Sequence, residues 1–354
     1  MDKFNAEGRP ALIGSLPMDN HEKATELVLS YASEIPLWVQ LPVFHEEGMI
    51  AQFLPGLPGV VTEKDRTFID KDHEGFDEDV LGFYEDYLMI SEGGGDLKES
   101  RFGMKGNESR GIVALKQKIK ASDEKPYAIK GQITGPITFA TGTCDREGRA
   151  IFYDDQLRDV AIKHLSMKAA WQTRELSEFG RPVIVFFDEP ALAGFGSSAF
   201  LTITKESVKE AIGELSQAVH AQGGLSGVHV CANTEWDLLL DSDLDVISFD
   251  AYSYFDKFML YGSKIKRFLD RGGILASGIV PTSPAEVIVK ESVESLYSKW
   301  EEQTNQLMGL GLSRETVVNQ TLITPSCGTG SLPLELAIKV LEMTRGLSDK
   351  VRGK

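Results

Sequence analysis

Residues 183–192 read VIVFFDEPAL, five apolar residues followed by two carboxylates and a proline. A short apolar run rich in Val, Ile and Phe favours a buried strand. Residues 155–179 before it and residues 205–221 after it place Leu, Ile, Val and Ala three or four positions apart, as an amphipathic helix requires. The stretch is therefore one unit of a strand–helix alternation, which is typical of a parallel α/β sheet.

The same alternation extends along the whole chain. Eight strands alternating with helices favour a TIM barrel, (β/α)8, over a doubly wound open sheet. The predicted strands are residues 12–16, 37–41, 127–133, 183–187, 226–231, 245–250, 273–278 and 321–324. The predicted helices between them are residues 21–33, 155–179, 205–221, 256–269, 285–308 and 334–344.

One segment interrupts the alternation. Roughly eighty-five residues separate the second and third predicted strands, too many for one helix and its two loops. We therefore predict a single α/β barrel domain over residues 1–354, with an insertion over residues 50–125. Within the insertion we expect a hairpin or irregular segment near residues 55–72, and helices over residues 77–90 and 109–121.

The composition is that of an ordinary soluble globular protein. The 354 residues include 53 Asp and Glu against 37 Lys and Arg, and a net charge of −16 repels nucleic acid and anionic membranes. No secretion signal or bilayer-spanning apolar run is recognisable, so we expect a cytoplasmic protein. The three cysteines cannot form a disulfide framework, and in a reducing compartment they indicate metal binding or catalysis.

A candidate metal site follows from the strand ends, where the active site of such a barrel lies. The fifth predicted strand ends in GVHVC, so His229 and Cys231 point to the same side. Asp250 ends the sixth strand, and Cys327 follows the eighth. One imidazole, two thiols and one carboxylate suit tetrahedral Zn²⁺. The alternative for His229 and Cys231 is an ordinary packed pair, and Cys144 is expected to be a bystander.

Other polar side chains at strand ends are candidates for substrate binding. Asp188 and Glu189 end the buried fourth strand, where they could act as the catalytic carboxylates and hold a substrate ammonium group. The alternative is an acidic turn in which Asp188 caps the next segment. Gly14 and Ser15 end the first strand and offer N–H groups and a hydroxyl to a carboxylate, unless they form a simple turn. The Thr134 hydroxyl, after the third strand, could also face the pocket.

Taken together, these motifs resemble a known family over nearly the whole chain. The resemblance is to the C-terminal catalytic barrel of cobalamin-independent methionine synthase, in the superfamily that includes uroporphyrinogen decarboxylase and methylcobamide:thiol methyltransferases. The motifs that carry it are, in chain order, Gly14-Ser15-Leu16-Pro17, Thr134-Gly135-Pro136, Asp188-Glu189-Pro190-Ala191-Leu192, His229-Val230-Cys231, Asp245-Val246-Ile247-Ser248-Phe249-Asp250 and Cys327-Gly328.

The resemblance implies a zinc site and contacts to homocysteine. The implied zinc ligands are His229, Cys231, Cys327 and Asp250, which stands where the family has glutamate. The implied contacts to the amino-acid part of homocysteine are Ser15 and Asp188.

The departures from the family pattern concern the methyl donor. The tryptophan that lies against folate is replaced by Gly142, an acidic folate-binding residue by Gly194, and the proton-donating histidine by Thr282. The N-terminal half of the long-form enzymes also has no counterpart in this sequence. The chain thus resembles the short, core-type methionine synthases and the thiol methyltransferases that take a methyl group from a corrinoid protein.

The sequence therefore predicts a zinc-dependent thiol methyltransferase. Homocysteine is the expected acceptor, and a methylcorrinoid is favoured over methyltetrahydrofolate because cobalt leaves without the proton that a folate nitrogen requires. The main competing hypothesis is a coenzyme M-type methyltransferase. Two hypotheses are less favoured: a uroporphyrinogen decarboxylase-like enzyme, whose arginine-rich N-terminal motif is absent, and a non-catalytic amino-acid-binding module.

Overall fold

The computed structural model describes residues 4–64, 66–196 and 202–354. In the described part of the chain, no helix is both long enough and apolar enough to span a membrane. The strands are β1 (Val60–Glu63), β2 (Arg66–Ile69), β3 (Ile129–Thr134), β4 (Val183–Asp188), β5 (Leu225–Val230), β6 (Val246–Phe249), β7 (Ile274–Val280) and β8 (Thr321–Pro325). The helices are α1 (His21–Ala32), α2 (Phe76–Ser91), α3 (Arg110–Ala121), α4 (Pro136–Gly142), α5 (Asp155–Leu176), α6 (Lys205–Ala221), α7 (Asp237–Leu240), α8 (Ala251–Met259), α9 (Gly262–Asp270), α10 (Ala285–Lys290), α11 (Val293–Met308), α12 (Arg314–Asn319) and α13 (Leu334–Val351).

Six strands form one parallel sheet in the order β3-β4-β5-β6-β7-β8. Each strand pairs with the next along the chain, and the residues of β4, β6, β7 and β8 are all buried, as expected of a parallel sheet covered by helices. The register places Thr134 beside Asp188, and Asp188 beside His229. The prediction of a parallel α/β sheet is therefore confirmed for these six strands.

The first two predicted strands do not form regular ladders. They make isolated parallel bridges, from Pro10 to Ile323 of β8 and from Leu37 to Lys130 of β3. A third bridge joins Ser15 and Gln40 of the two segments to each other. Pro10, like the prolines at positions 36 and 42 beside the second segment, has no N–H, so the sequence interrupts the backbone hydrogen bonding that a longer ladder needs. The structure thus shows a six-stranded sheet with bridged segments along both edges.

One face of this sheet encloses its own hydrophobic cluster. Along β4, Ile184 and Phe186 point to that face with Asp188, since alternate residues of a strand share a side. The cluster joins residues of the N-terminal segment to residues of the sheet, which requires the sheet to curl. Its buried members are Ala6, Ala11, Ile13, Ile35, Ala128, Ile184, Phe186, Val246, Ile274, Ala276 and Leu322.

The residues between the second and third predicted strands contain the expected elements. The hairpin is β1 paired with β2 in antiparallel register, and the two helices are α2 and α3. Phe53, Phe83 and Phe102 from this segment are fully buried in the same cluster as Leu165 of α5. The segment therefore packs on the helical layer of the sheet.

Two long predicted helices are each divided in two. The helix predicted over residues 256–269 begins earlier, as α8, and restarts as α9 at Gly262. The helix predicted over residues 285–308 is interrupted by Ser292, whose hydroxyl accepts a hydrogen bond from the Ser295 backbone N–H and caps α11. An N-cap residue has a non-helical backbone, so it ends one helix where it starts another.

A histidine–aspartate pair stabilises the amino-terminal end of the sheet. His220 Nε2 lies 2.7 Å from Asp245 Oδ2, which also accepts from the Ser226 backbone N–H at 2.8 Å. The hydrogen bond to Asp245 raises the pKa of His220. A role in stability rather than in chemistry is expected of residues at this end of a parallel, curled sheet.

We expect the His220 interaction to weaken at alkaline pH. Because the folded-state pKa is raised, its contribution is present below the unfolded pKa of about 6.5 and is lost as the pH rises through the folded value. A His220→Gln variant should lose about 1 kcal/mol of unfolding free energy at pH 6 and much less at pH 9. Urea unfolding of both proteins at the two pH values measures this, and an equal loss at both would contradict the charge-dependent role.

Candidate metal centre

Three potential metal ligands meet at the carboxyl end of the sheet. His229 lies on β5, Cys231 follows that strand directly, and Cys327 follows β8 closely. The ligand atoms of these three side chains all lie within 4.8 Å of one another. The His229 and Cys231 side chains share a face because they alternate along one strand, and the parallel strand order brings in Cys327 from a distant part of the chain.

The two ring nitrogens of His229 differ in their contacts. Its Nδ1 lies 2.9 Å from the hydroxyl of Ser248 on β6, and its buried Nε2 has no partner among the described residues. Burial, reinforced by the charge of Lys130, lowers the pKa of His229 to about 3, so the ring is neutral. A tautomer that donates from Nδ1 to Ser248 leaves the Nε2 lone pair available to a metal, as in many metal-bound histidines.

The sulfur atoms of the two thiols lie within 4.8 Å of each other. The nearby Cys327 thiol lowers the pKa of Cys231 to about 7, whereas the Cys231 thiol and burial raise the pKa of Cys327. Of the two thiols, Cys231 is therefore the more readily deprotonated. Two sulfur atoms and a free imidazole nitrogen fit Zn²⁺, whose catalytic sites often use three protein ligands and an open fourth position.

We expect Ser248 to contribute to metal affinity through His229. A Ser248→Ala variant removes the only described hydrogen-bond partner of His229 Nδ1, so the ring loses its fixed tautomer and orientation. Zinc affinity should fall by roughly tenfold, which is the low end for loss of such a supporting contact. Competition with a chromophoric chelator measures it, and an unchanged affinity would show that packing alone orients the ring.

Asp250, the predicted fourth ligand, lies outside this group. Its Oδ1 accepts a hydrogen bond of 2.8 Å from the Ser253 backbone N–H, so the side chain caps the amino terminus of α8. Burial raises its pKa, while the cap interaction opposes that rise. The Asp250 charge is among the weaker influences that raise the pKa of the Cys231 thiol. The ligand role of Asp250 stays a prediction.

A cavity of about 510 Å³ opens above the three ligands. The predicted substrate-binding residues Gly14, Ser15, Thr134 and Asp188 all line it. Among its described lining residues there is no Lys or Arg. The lining residues are Ile13, Gly14, Ser15, Gln40, Pro42, Glu47, Gly48, Met49, Thr134, Asp188, Pro190, His229, Cys231, Cys327, Gly328, Gly330 and Ser331.

Asp188 is the most distinctive acidic group of the cavity. It is 9% exposed, and its Oδ1 is buried without a hydrogen-bond partner among the described residues. Burial raises its pKa to about 6, although the charge of Lys130 opposes the rise. Lys130 is itself buried, 4.4 Å from the ring centre of Phe186, and burial lowers its pKa to about 8. Asp188 thus brings a carboxylate to the cavity wall, and one of its oxygens is satisfied by no described group.

The hydroxyls of Ser15 and Thr134 are held by the backbone around them. Ser15 Oγ accepts from the Gly330 backbone N–H at 3.2 Å, which ties the first segment to the loop after Cys327. Thr134 donates to the Met49 carbonyl at 2.5 Å. Both residues line the cavity, as predicted, but their hydroxyls are already engaged with the backbone.

Glu189, predicted as a catalytic carboxylate, does not line the cavity. It is fully buried, and its carboxylate accepts from the backbone N–H groups of Ile137 and Thr138 and from the Thr138 hydroxyl at 2.6 to 2.9 Å. The backbone donors belong to the amino terminus of α4, so the carboxylate caps that helix. Burial raises its pKa to about 7 despite these contacts. The Glu189 carboxylate thus anchors the start of α4 to the end of β4, next to Asp188.

Glu47 was not among the residues predicted for the site, and the structure places it in the cavity wall. Glu47 follows the second bridged segment, within the acidic stretch HEEG of residues 45–48. It is only 2% exposed. A glutamate in a short connecting segment gives no periodic signal, so its burial could not be predicted from spacing.

The remaining positions discussed from the sequence lie outside the cavity lining. Gly142 ends α4 against Ile50, and Gly194 lies in the short helix after Glu189. Thr282 is buried and bonded to Ser326. Cys144 is a free cysteine in a loop and is not part of the three-ligand group.

Comparisons with known proteins leave the family open. No protein-family model matches the chain, and no curated protein matches it. A similar solved structure comes from work on inhibition of the pneumococcal virulence factor StrH and on N-glycan recognition and hydrolysis. It has 12% sequence identity and a TM-score of 0.45, and the match covers 98% of this chain and 84% of that chain. This similarity adds nothing to the fold described above.

Proposed function

We propose that the protein is a zinc-dependent methyltransferase that transfers a methyl group to the sulfur of a small amino thiol, homocysteine. The observation that carries the proposal is the convergence of His229, Cys231 and Cys327 within 4.8 Å at the base of a cavity that also contains Asp188. Zinc held there would supply the positive charge that keeps a substrate thiol deprotonated at neutral pH.

The proposal includes a closed (β/α)8 architecture. The two bridged segments would complete a ring with β3 to β8, since one bonds to β8, the other to β3, and the two to each other. The three ligands would then lie at the carboxyl end of the barrel strands, where such enzymes place their active sites.

The cavity lining favours a cationic substrate over an anionic one. Asp188 and Glu47 are both buried there, and the described lining has no Lys or Arg. A sulfonate such as that of coenzyme M would approach the Asp188 carboxylate without a matching cation, whereas an α-ammonium group would pair with that carboxylate. The Glu47 side chain is fully buried against His21 and contacts neither ligand. The carboxylate of an amino acid would accept hydrogen bonds from the Ser15 hydroxyl, which accepts from the Gly330 N–H but can still donate its own proton, and from the Ser331 hydroxyl.

The residues of this chain perform positioning and desolvation. Asp188 would hold the ammonium group, and the loop around Ser15 would hold the carboxylate, so the sulfur is directed toward the three ligands. Orientation of the two reactants in an enclosed site lowers the barrier for an in-line methyl transfer. By the resemblance to methionine synthases, Thr282 stands where those enzymes have a proton-donating histidine, and its hydroxyl is bonded to that of Ser326. This supports a methyl donor whose leaving group needs no proton. Such a donor is a methylcorrinoid, either free or carried by a partner protein.

The experiment that tests the proposal combines metal analysis with a donor comparison. The zinc-loaded protein is incubated with homocysteine and either methylcobalamin or methyltetrahydrofolate, and methionine is quantified. We expect turnover with methylcobalamin and little with the folate. Turnover only with the folate would overturn the donor assignment, and correctly folded protein that cannot bind zinc would overturn the whole proposal. Replacing homocysteine by coenzyme M tests the acceptor.

A further inference from the structure

Two hydrogen-bonded side-chain amides connect the protein interior to the cavity wall. The Gln52 side chain is fully buried, and its Nε2 donates to the Glu108 backbone carbonyl at 2.9 Å. Because a carbonyl only accepts, the Gln52 amide must direct its Oε1 the other way, where it accepts from Gln40 Nε2 at 2.6 Å. Gln40 lines the cavity. The Glu108 carbonyl therefore fixes the orientation of both amides, and Gln40 turns its nitrogen away from the cavity.

The oxygen of the Gln40 amide opens on the cavity. No described group donates a hydrogen bond to Gln40 Oε1, and this atom is not enclosed within the described part of the protein. It lies against Gly14, which also lines the cavity, and a Cβ added to Gly14 would stand only 2.4 Å from it. Glycine at position 14 therefore leaves the space that this oxygen occupies.

Gln40 and Asp188 line the same space from nearby segments of the sheet. A Cβ added to Gly14 would also lie 3.2 Å from the Gln132 side chain on β3, so Gln40 adjoins that strand. Thr134, the last residue of β3, pairs with Asp188 at the end of β4. The described cavity lining thus contains a carboxylate and an unpartnered amide oxygen, and it contains no Lys or Arg.

We propose that Gln40 accepts a hydrogen bond from the substrate ammonium group and so helps to select amino thiols. This inference rests on the proposed function and gives Gln40 a role in recognition, not in the transfer of the methyl group. An ammonium group has three N–H donors, and one carboxylate bonds at most two of them. A donor left unpaired in an enclosed site is costly, so a further acceptor beside Asp188 favours binding.

The fixed orientation of the Gln40 amide is what makes it selective. An amide that rotates freely presents either an oxygen or an N–H group, so it accommodates a cation and an anion equally. The bond to Gln52 holds the Gln40 nitrogen and leaves the oxygen toward the cavity. A carboxylate or sulfonate at this point would meet another acceptor, whereas an ammonium group would donate to it. The amide pair thus favours cations without adding a second negative charge.

Calorimetric titration of the zinc-loaded protein with two thiols tests the role of Gln40. The thiols are homocysteine and 4-mercaptobutanoate, in which hydrogen replaces the amino group. Gln40→Met keeps the length of the side chain but has no acceptor oxygen. It should bind homocysteine about tenfold more weakly or worse, as expected for a lost hydrogen bond to a charged group, and it should bind 4-mercaptobutanoate normally. The matched control is Gln117→Met, at an exposed glutamine of α3, which should bind both thiols normally.

A second variant separates recognition from a structural role of Gln40. Gln40→Glu keeps an oxygen at the Oε1 position, so it should retain the preference for homocysteine. A normal homocysteine affinity in Gln40→Met, an equal loss for both thiols, or loss of the preference in Gln40→Glu would each overturn the assignment. If the unmodified zinc protein binds neither thiol, the proposed function fails together with this inference. If it binds homocysteine tightly and Gln40→Met does so too, only the role of Gln40 is refuted.

Discussion

A Cys327→Ser variant is expected to lose its zinc. Cys327 supplies one of three converging ligand atoms, and a serine oxygen is a shorter and much less readily deprotonated donor. If zinc binding is worth about 10–16 kcal/mol shared among about four ligands, the loss is about 3 kcal/mol, or roughly a hundredfold in affinity. Elemental analysis after dialysis against a weak chelator should show about one zinc per chain in the unmodified protein and little in the variant.

The matched control is Cys144→Ser, which changes a cysteine outside the three-ligand group. This variant should retain its zinc through the same dialysis. Circular dichroism of the metal-free Cys327→Ser protein establishes whether the fold survives. Full zinc retention in Cys327→Ser would refute the metal centre, because His229 and Cys231 alone are two residues of one strand end and do not enclose an ion.

The positions of the metal ligands could be predicted because they depend on strand order and alternation. Each of the strands β4 to β8 has a short buried apolar run, and in a parallel sheet the carboxyl ends of such runs meet at one edge. His229 and Cys231 then share a face through the two-residue repeat. The position of Cys327 followed once the carboxyl end of the last strand was located. Its large separation in sequence from His229 and Cys231 therefore did not prevent the prediction.

The roles of Glu189 and Asp250 depended on helix starts that the sequence pattern did not resolve. Glu189 caps α4, a seven-residue helix that was not predicted. Asp250 caps α8, which begins at Ala251 rather than at residue 256 as predicted. A carboxylate at the end of a strand can face the cavity or the first turn of the next helix, and alternation along the strand does not distinguish the two. An error of a few residues in a helix start therefore changes the apparent chemistry of the strand end.

The two N-terminal segments and Glu47 show a second limit of predicting structure from sequence patterns. Prolines at positions 10, 36 and 42 lie next to the two apolar segments and limit how far a ladder can extend beyond them, although the apolar patterns resembled strands. The connection after the second segment then folds back, so that Glu47 lies in the cavity wall with its side chain buried against His21. That contact spans 26 residues and two non-periodic segments, and no local pattern specifies it.

In the proposed function, the charge of Asp188 favours a substrate with an ammonium group, and the second large expected effect follows from this. Asp188 has a buried oxygen without a partner among the described residues, and the buried Lys130, whose charge lowers the pKa of Asp188, forms no ion pair with it among the described contacts. A buried and unsatisfied carboxylate is costly for the folded protein. Such a group is retained where a ligand supplies the missing partner, and an ammonium group of the substrate would do so.

An Asp188→Asn variant is therefore expected to bind homocysteine about 30- to 100-fold more weakly, equivalent to roughly 2–3 kcal/mol, since the buried charge pair with the ammonium group is lost. Asparagine has nearly the same shape and cannot remove any hydrogen bond of Oδ1, because that atom has no partner in the described structure. Isothermal titration of the zinc-loaded protein measures the affinity. Equal zinc content in both proteins shows that the metal centre is intact.

The decisive comparison uses 4-mercaptobutanoate, which is homocysteine without its amino group. If Asp188 recognises the ammonium group, this thiol should bind the unmodified protein weakly, and Asp188→Asn should bind it equally well or better because a carboxylate that repels the ligand has been neutralised. Asp243→Asn, at an aspartate whose side chain is 81% exposed, should leave both affinities unchanged. A similar loss for both thiols in Asp188→Asn would instead mean that Asp188 acts on the metal centre, since the two ligands share only the sulfur, the carbon chain and the carboxylate.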